Sequence, residues 1–346
     1  MRKDVIRIIN VFLTVAILFY GYYILFHPQG LEHVYRNWDG PGYAVVAKTL
    51  YDVKMIEQIN PFPFLAPSHY AYQFPLYPLF IRLFSFIGYS ESMIFVSQLF
   101  TLGYSIALYF LVKAVNPRAN ALFVSIASIF VTPRWFIVSH VGSTEPAFLF
   151  FITLFALYFY KKNYLASAAF AALAQLAKPQ GIIFFAGLAI YFLYRFITDA
   201  PRFREYLRTF LPYLLIPAAL MATFTVYYFR FGDFFVFMKN EAFPTMQWPP
   251  LKILTSPTVY NAVIDLFVVW KEAIVYTYFL YALGIALLFE KKLHMVAVVS
   301  LTYFLPVLLF CPDRYGPLHP AYSPVCDARI IRFFLKKGSV FYDSFY

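Results

Sequence analysis

Apolar runs of about twenty residues recur along the whole chain, and they constrain its fold more than any other feature. A backbone inside lipid must satisfy its own hydrogen bonds, which only helices and closed barrels achieve. The sequence lacks the strand-like alternation of apolar and polar residues that a barrel requires. Hydrophobic residues make up 62% of the 346 positions and charged residues 13%, which is outside the range of a soluble domain. The sequence therefore predicts an all-α membrane protein that crosses the bilayer several times.

Hydropathy and charge together predict about nine transmembrane helices. The predicted spans are residues 5–26, 92–112, 119–139, 145–160, 164–177, 179–197, 207–229, 271–289 and 293–311. The first run is too long for the core of a signal peptide and lacks a small-residue cleavage site, so we expect it to be a retained span. The spans belong to one predicted transmembrane domain, residues 1–311, followed by a basic tail, residues 312–346.

The positive-inside rule orients these spans with the amino terminus in the cytoplasm. The connections that then face the cytoplasm all carry Lys or Arg: 113–120, 161–163, 198–206 and 290–292. Two longer segments, 27–91 and 230–270, fall on the exofacial side, where we look for function. Residues 42–51 and 74–88 are expected to form short helices in the first of these loops, the second lying along the interface because it is short and carries prolines. If 74–88 were a true span, every later orientation would invert.

The composition also narrows the partners of this protein. The net charge of +11 comes from Lys and Arg at helix ends and in the tail, which suits anionic lipid rather than nucleic acid. The sequence contains no Walker motif and no HExxH zinc motif, so we predict no soluble nucleotide site. Two cysteines, Cys311 and Cys326, are too few for a disulfide framework. Unpaired thiols are expected, with a single bridge as the alternative.

Asp39 is the leading candidate for a catalytic residue. It lies between Trp38 and Gly40 in the first long loop and has no charged partner in the local sequence. Ionisable groups close to membrane depth are costly and usually face a cavity or a partner. A partly desolvated carboxylate at this position would suit a general base that acts on a hydroxyl.

A second group of polar residues lies in a turn between two spans, which Thr132-Pro133 and Pro146 bracket. The turn contains His140 and, directly before a proline, Glu145. Glu145 either stabilises the start of the next helix or takes a direct part in chemistry. His140 either binds substrate and assists proton transfer or is structural, as a lone histidine more often is. Both are therefore candidates for substrate binding.

The segment from Lys178 to Gly181 places a cation beside a helix start, where backbone N–H groups are expected to be free. Such a corner suits a phosphate. Arg314, which Tyr315 follows, would offer a second cation with bidentate geometry. Tyr72 and Tyr77 in the first loop fit either an aromatic belt at the membrane interface or a platform for a sugar or lipid chain.

Two motifs in the first loop resemble a known family. Residues 37–43, Asn-Trp-Asp-Gly-Pro-Gly-Tyr, are similar to the first-loop motif of the GPI mannosyltransferase II-like group of C-type glycosyltransferases. Residues 72–79 are similar to that group's Phe-Phe-Pro-Leu-Tyr-Pro-Leu-Leu segment. Residues 143–148 and 174–181 resemble its serine and glutamate turn and its basic corner. The resemblance covers most of the chain.

The resemblance implies a GT-C-like bundle and an inverting transfer of a hexose, with mannose favoured, from a polyprenyl-phosphate donor such as dolichol phosphate. Asp39 would be the general base, and Lys178 and Arg314 would bind the donor phosphate. The residues that would contact substrate are Trp38, Tyr43, Tyr72, Tyr77, His140, Glu145 and Tyr315. The acceptor would be a glycolipid or a protein hydroxyl. A single acid rather than an Asp-x-Asp pair predicts transfer without a divalent metal or other cofactor, although a metal remains the alternative.

The sequence also departs from this pattern and leaves rivals open. After Arg314 the family continues into another span, whereas residues 317–335 carry Asp327, Arg329 and Arg332 and make a poor membrane helix. A transporter or lipid flippase is one alternative, and a non-catalytic subunit that needs a partner is another. The predicted location is the cell membrane, or the endoplasmic reticulum membrane in a eukaryote.

Overall fold

The computed structural model describes residues 2–37, 39–59, 65–199, 203–239, 245–246 and 266–311. Helices make up nearly all of this described part. They are α1 (Arg2–Phe26), α2 (Leu31–Tyr35), α3 (Gly40–Thr49), α4 (Val53–Ile59), α5 (Leu76–Leu83), α6 (Tyr89–Val115), α7 (Ala121–Ala127), α8 (Pro133–Val138), α9 (Glu145–Tyr160), α10 (Tyr164–Ala177), α11 (Gly181–Asp199), α12 (Phe203–Phe210), α13 (Leu215–Phe231), α14 (Val236–Lys239), α15 (Leu266–Glu290) and α16 (His294–Leu309). The all-α prediction is thereby confirmed for these residues.

Short 3-10 segments and one small strand pair complete the architecture. The 3-10 segments are Pro67–Tyr72, Ser85–Ile87, Ser128–Phe130 and Leu211–Leu214. Strands β1 (Thr245–Met246) and β2 (Phe310–Cys311) pair antiparallel, with Thr245 opposite Cys311. Cys326 and the rest of the predicted tail lie outside the described residues.

Within the described residues, four helical segments are long and apolar enough to cross a membrane: Arg2–Phe26, Tyr89–Val115, Gly181–Asp199 and Arg204–Phe231. The last of these joins α12, a 3-10 segment and α13. Shorter apolar helices, including α9 and α10, pack among them. The prediction of a membrane protein is therefore supported by helix length and composition.

One predicted span has a different structure. Residues 119–139 form α7, a 3-10 turn and α8 rather than one continuous helix. The interruption lies at Thr132, whose extended backbone and side-chain oxygen start a new helix by accepting a hydrogen bond from the Trp135 N–H at 3.1 Å. Pro133 follows at the first helical position, where its missing N–H costs nothing. A Thr-Pro pair inside an apolar run therefore marks a helix start here.

The described chain divides into two compact units. The first comprises Met1–Phe185 and Arg195–Asn240, and the second comprises Ala186–Tyr194 and Glu241–Tyr346. In the second unit α15 packs against α16, and Gly187 approaches α16 so closely that an added Cβ would lie 2.9 Å from the Val299 Cα. All the described candidate residues belong to the first unit.

The first unit is built around α6, which packs against α1, α7 and α9. On one side Ile8, Tyr109 and Ala121 form a buried apolar cluster, and the Tyr109 hydroxyl donates to Asp4 Oδ2 at 2.8 Å. On the other side α9 and α10 pack together as neighbours joined by a tight turn. These contacts bring the end of α10 close to the start of α9.

The first loop folds into short helices that pack on α6. As predicted, residues near 42–51 and 74–88 are helical, forming α3 and α5 with its 3-10 extension. The Arg82 guanidinium on α5 donates to the carbonyls of Ala47 and Lys48, both at 3.0 Å, and so satisfies the last turn of α3. α5 buries Ile81 and exposes 64% of Leu83, and Phe86 just beyond it is 81% exposed. This amphipathic pattern fits the predicted interfacial helix.

Candidate active site

Four charged residues from three regions of the chain interact electrostatically: Asp39, Arg134, Glu145 and Lys178. We refer to them as the charged cluster. Each lies at or beside a helix end: the starts of α3, α8 and α9 and the end of α10. Helix ends leave backbone polar groups unpaired, so they are sites where charge is easily accommodated. Asp39, Glu145 and Lys178, three of the predicted site residues, are therefore brought together.

Asp39 occupies the position just before α3. Its backbone carbonyl accepts a hydrogen bond from the Tyr43 N–H at 3.2 Å, but its side chain makes no capping hydrogen bond to the helix. The carboxylate is therefore not used to start α3, although aspartate is one of the commonest residues for that role. The Asp39 side chain is exposed.

The pKa of Asp39 is raised above its ordinary value. Desolvation by the surrounding protein is the largest cause, and the negative charge of Glu145 adds to it. Lys178 and Arg134 act in the opposite direction, but they do not cancel the shift. The Asp39 side chain is exposed, yet the surrounding protein desolvates its carboxylate. Both observations hold when one side of the carboxylate is open and the others face protein. Such a carboxylate is a stronger base than an ordinary aspartate.

Glu145 and Lys178 form an ion pair. The Lys178 Nζ donates to Glu145 Oε1 at 2.7 Å, and the Ser143 hydroxyl donates to Glu145 Oε2. Thr144 holds the two helix ends together, because its hydroxyl donates to the carbonyl of Ala177 at 3.1 Å. Both oxygens of the carboxylate are thus occupied. We infer that Glu145 positions Lys178.

Lys178 lies between the end of α10 and the start of α11, as the predicted spans 164–177 and 179–197 indicated. Its backbone is extended, with φ −146° and ψ 142°, because the following Pro179 disfavours a helical conformation at the residue before it. The predicted free backbone donors are not all free. The N–H groups of Gly181 and Ile183 donate to the carbonyls of Lys178 and Gln180 at 3.1 and 3.0 Å, because the chain passes through a tight turn before α11. The predicted phosphate contact at this corner would therefore depend on the ammonium group more than on the backbone.

Tyr77 lies beneath the turn that carries Ser143. Its ring is fully buried, and its hydroxyl donates to the carbonyl of Met93 at 2.8 Å and accepts a hydrogen bond from the Ser143 N–H at 3.1 Å. The Ser97 hydroxyl lies 2.7 Å from the same oxygen. The predicted role of Tyr77 as a platform for a sugar does not fit this burial, because the ring presents no face to a ligand. Tyr77 instead fixes the turn that leads to Glu145.

Tyr43 and Tyr72 lie nearer to the charged cluster. Tyr43 is 7% exposed, packs edge-on against the Tyr77 ring at 5.0 Å and interacts electrostatically with Glu145 and Asp39. Tyr72 is half-buried, stacks on Phe237 at 5.9 Å between centroids and interacts with Tyr43. Tyr43 therefore lies close enough to both carboxylates to interact with them, and Tyr72 lies next to Tyr43.

His140 belongs to a different environment. It is fully buried, its Nδ1 lies 2.7 Å from the carbonyl of Phe136, and its ring packs against Phe19 of α1 at 4.7 Å. The Tyr20 hydroxyl donates to its backbone carbonyl at 2.8 Å. His140 is absent from the groups that influence Asp39. Its position between α1 and α8 favours the structural alternative over a role in substrate binding.

Arg134 was not predicted from the sequence. It lies in the first turn of α8, is exposed and interacts electrostatically with both Asp39 and Glu145. The predicted span over 119–139 placed Arg134 in the interior of a long helix. The Thr132-Pro133 pair directly before Arg134 was the signal that a new helix starts there. Three predicted residues, Trp38, Arg314 and Tyr315, lie outside the described residues, so their roles stay predictions.

Among the described residues, no group of three or more His, Cys, Asp or Glu side chains could hold a metal ion. Comparisons of this chain with protein-family models, with curated proteins and with solved structures found no match.

Proposed function

We propose that this protein is a membrane glycosyltransferase that moves a hexose from a polyprenyl-phosphate donor to an acceptor hydroxyl, with inversion at the anomeric carbon. The observation that carries this proposal is the position of Asp39, a carboxylate with a raised pKa that shares one cluster with the cations Lys178 and Arg134. The resemblance of the first-loop motifs to the GPI mannosyltransferase II-like group suggests mannose as the sugar and a glycolipid or protein as the acceptor. It also suggests a cell-membrane or endoplasmic reticulum location with the site on the exofacial face.

In the proposed reaction, Asp39 removes the proton from the acceptor hydroxyl. The resulting nucleophile attacks the anomeric carbon from the face opposite the phosphate, while the bond from that carbon to the phosphate oxygen breaks. The electron pair of this bond leaves with polyprenyl phosphate. Because Asp39 is exposed, the proton it has gained can pass to water. A positioned general base contributes about 10²–10⁴-fold to such a reaction.

Lys178 has a complementary role, because negative charge grows on the departing phosphate. A cation held in place before the reaction stabilises that charge without reorganising. Glu145, Ser143 and Thr144 hold Lys178 and its helix end in position through the contacts described above. Tyr43 interacts electrostatically with both carboxylates and is proposed to border the sugar site. No step of this reaction requires a metal ion or another cofactor.

The arrangement also weighs against the rival of a transporter or flippase. Transport sites at the bilayer midplane are built from polar groups inside broken spans. Asp39, Glu145 and Lys178 lie instead at helix ends, beside a folded loop. A non-catalytic subunit that requires a partner remains an outcome of the experiment below.

The test follows transfer of radiolabelled mannose from a polyprenyl-phosphate donor into lipid and protein acceptors, with wild-type protein and Asp39→Asn in purified membranes. Asparagine keeps the size of the side chain and removes its basicity, so we expect transfer to fall by about 10²-fold or more at unchanged expression. Glu57→Gln is the matched control, because Glu57 is an exposed carboxylate in the same loop and does not influence Asp39.

Equal transfer by wild type and Asp39→Asn would remove Asp39 from catalysis and favour a non-catalytic subunit. If neither protein transfers mannose, other hexoses are tried next. Failure with all of them, together with movement of a lipid across the bilayer, would favour the transporter.

A further inference from the structure

The charged cluster contains a second cation whose role the proposed reaction does not yet explain. Arg134 is fixed at the start of α8, where Thr132 accepts a hydrogen bond from the Trp135 N–H and Pro133 holds the first helical position. The side chain is exposed and interacts with Asp39 and with Glu145, which lie on two other helix ends. Arg134 therefore adds a positive charge to the cluster of the proposed base, from a separate element.

Lys178 by itself is a weak site for a phosphate. Its ammonium group already donates to Glu145 at 2.7 Å, so part of its charge is offset. A phosphate monoester carries about −1.5 to −2 at neutral pH, whereas the phosphodiester of a lipid-linked sugar carries about −1. The charge on the phosphate thus grows as the sugar leaves. The charge of Lys178, which Glu145 already offsets in part, is too small to balance the added negative charge on the phosphate.

The net charge of the whole charged cluster changes by the amount needed to balance the phosphate. Two carboxylates, Asp39 and Glu145, and two cations, Lys178 and Arg134, give a net charge of zero while Asp39 is ionised. When Asp39 accepts the proton of the acceptor hydroxyl, the net charge becomes +1. The departing phosphate gains about one negative charge in the same step. Without Arg134 the same step would take the cluster from −1 to zero and leave the phosphate without a net counter-charge.

We propose that Arg134 binds the donor phosphate together with Lys178, and that its planar guanidinium supplies the bidentate contact to the phosphate oxygens. This inference rests on the proposed function and assigns the leaving-group site of that reaction. It gives Arg134 the part that the sequence suggested for Arg314. Arginine suits this part better than lysine because its fork of N–H donors matches two phosphate oxygens at once.

The experiment measures binding of sugar-free polyprenyl phosphate to the full-length protein in phosphatidylcholine nanodiscs, with the unphosphorylated polyprenol as reference. Loss of a hydrogen-bonded charge contact should weaken binding of the phosphate by about tenfold or more in Arg134→Gln. Arg134→Lys keeps the charge and loses the fork, so an intermediate affinity is expected. Arg36→Gln is the control, because Arg36 is an exposed arginine of the first loop that pairs with Glu32.

The outcomes separate this inference from the function on which it rests. If wild type binds polyprenyl phosphate and transfers sugar while Arg134→Gln binds the phosphate equally well, the assignment of Arg134 is overturned and the function stands. If wild type binds polyprenyl phosphate no better than polyprenol, the donor class and the role of Arg134 both fail. If Arg134→Gln does not fold, the affinity of Arg134→Lys for polyprenyl phosphate tests the inference instead. An affinity equal to that of wild type would overturn the bidentate contact.

Discussion

The Lys178 ammonium group donates to the Glu145 carboxylate at 2.7 Å across 33 residues of sequence. One residue ends α10 and the other begins α9, so the pair closes the open end of two packed helices. The side chains are 21% and 42% exposed respectively, and the pair therefore stands at a boundary between protein and solvent. A partly exposed ion pair stabilises a fold by only about 1 kcal/mol or less. We therefore expect this pair to matter mainly because it holds the Lys178 ammonium group in place.

Removal of the cation should therefore damage activity much more than stability. We expect Lys178→Met to lower transfer by about a hundredfold or more, by analogy with the loss of one preorganised donor at a developing charge. The unfolding midpoint should change little. The measurements are initial rates of transfer and thermal unfolding of the same purified samples.

A double-mutant cycle tests whether Glu145 acts through Lys178. Glu145→Gln should reduce transfer in the wild-type background and have little further effect in Lys178→Met. Additive losses would mean that Glu145 has a separate role in the reaction.

The pH dependence of kcat/KM should report the raised pKa of Asp39. A general base is active when deprotonated, so the rate should rise with pH and level off above that pKa, at a higher pH than an ordinary aspartate would give. Glu145→Gln removes a negative charge that raises the pKa, and the rising limb should move to lower pH. Lys178→Met removes a positive charge that lowers it, and the limb should move to higher pH. Glu57→Gln should leave the limb in place, and a common shift in all three variants would contradict the assignment of the base.

Loss of the Tyr77 hydroxyl should destabilise the turn that carries Ser143. In Tyr77→Phe the Met93 carbonyl loses the Tyr77 donor, and the Ser143 N–H keeps only the Ser97 hydroxyl, at 3.3 Å. The loss of a buried hydrogen bond costs about 0.5–1.5 kcal/mol. Tyr22→Phe is the control, since Tyr22 on α1 is 56% exposed. Thermal unfolding of both variants measures the difference, and an unchanged midpoint in Tyr77→Phe would show that the hydroxyl is dispensable.

Gly142 should not tolerate a side chain. An added Cβ would lie 2.3 Å from the sulfur of Met93, whose own side chain is buried. We expect Gly142→Ala to lower stability by about 1–3 kcal/mol through overpacking. The loss caused by Gly142→Ala should be smaller when it is measured in a Met93→Ala background, which lacks the clashing atoms.

Gly21→Ala is the control for Gly142→Ala. Gly21 lies within α1 and has nothing within 4 Å of an added Cβ, so alanine should be neutral or stabilising by up to about 1 kcal/mol. Equal unfolding midpoints for Gly142→Ala and Gly21→Ala would contradict the close packing at Gly142.

Much of the fold follows from local sequence patterns. The apolar runs around α1, α6 and α11 predicted helices at those places, because lipid admits only helices and closed barrels and these runs lack the alternation of a barrel. The end of α10 before Lys178 followed from the segment Lys178 to Gly181, which interrupts the apolar sequence between two predicted spans. The Thr-Pro pair before Arg134 indicated a turn, but the predicted span 119–139 ran across it because hydropathy averages over a window.

The site could be predicted only in part, because its contacts join distant segments. Local sequence placed Asp39, Glu145 and Lys178 at helix ends, and this was enough to suggest a common face. It contained no sign that Ser143 and Lys178 would share the Glu145 carboxylate, nor that Tyr77 would be buried below them. Such pairings depend on how α9 packs against α10 and α6, which no single segment specifies.

The spacing of the charged cluster along the chain has a consequence for biogenesis. Synthesis delivers Asp39 first, then Arg134 and Glu145, and Lys178 last, from the far end of α10. A nascent chain that has exposed its first loop therefore holds a lone acid without the cations that accompany it in the finished protein. The proposed transfer, which depends on Lys178, would therefore begin no earlier than the docking of α10. A ribosome stalled before that point would leave an inert chain in the bilayer rather than a premature transferase.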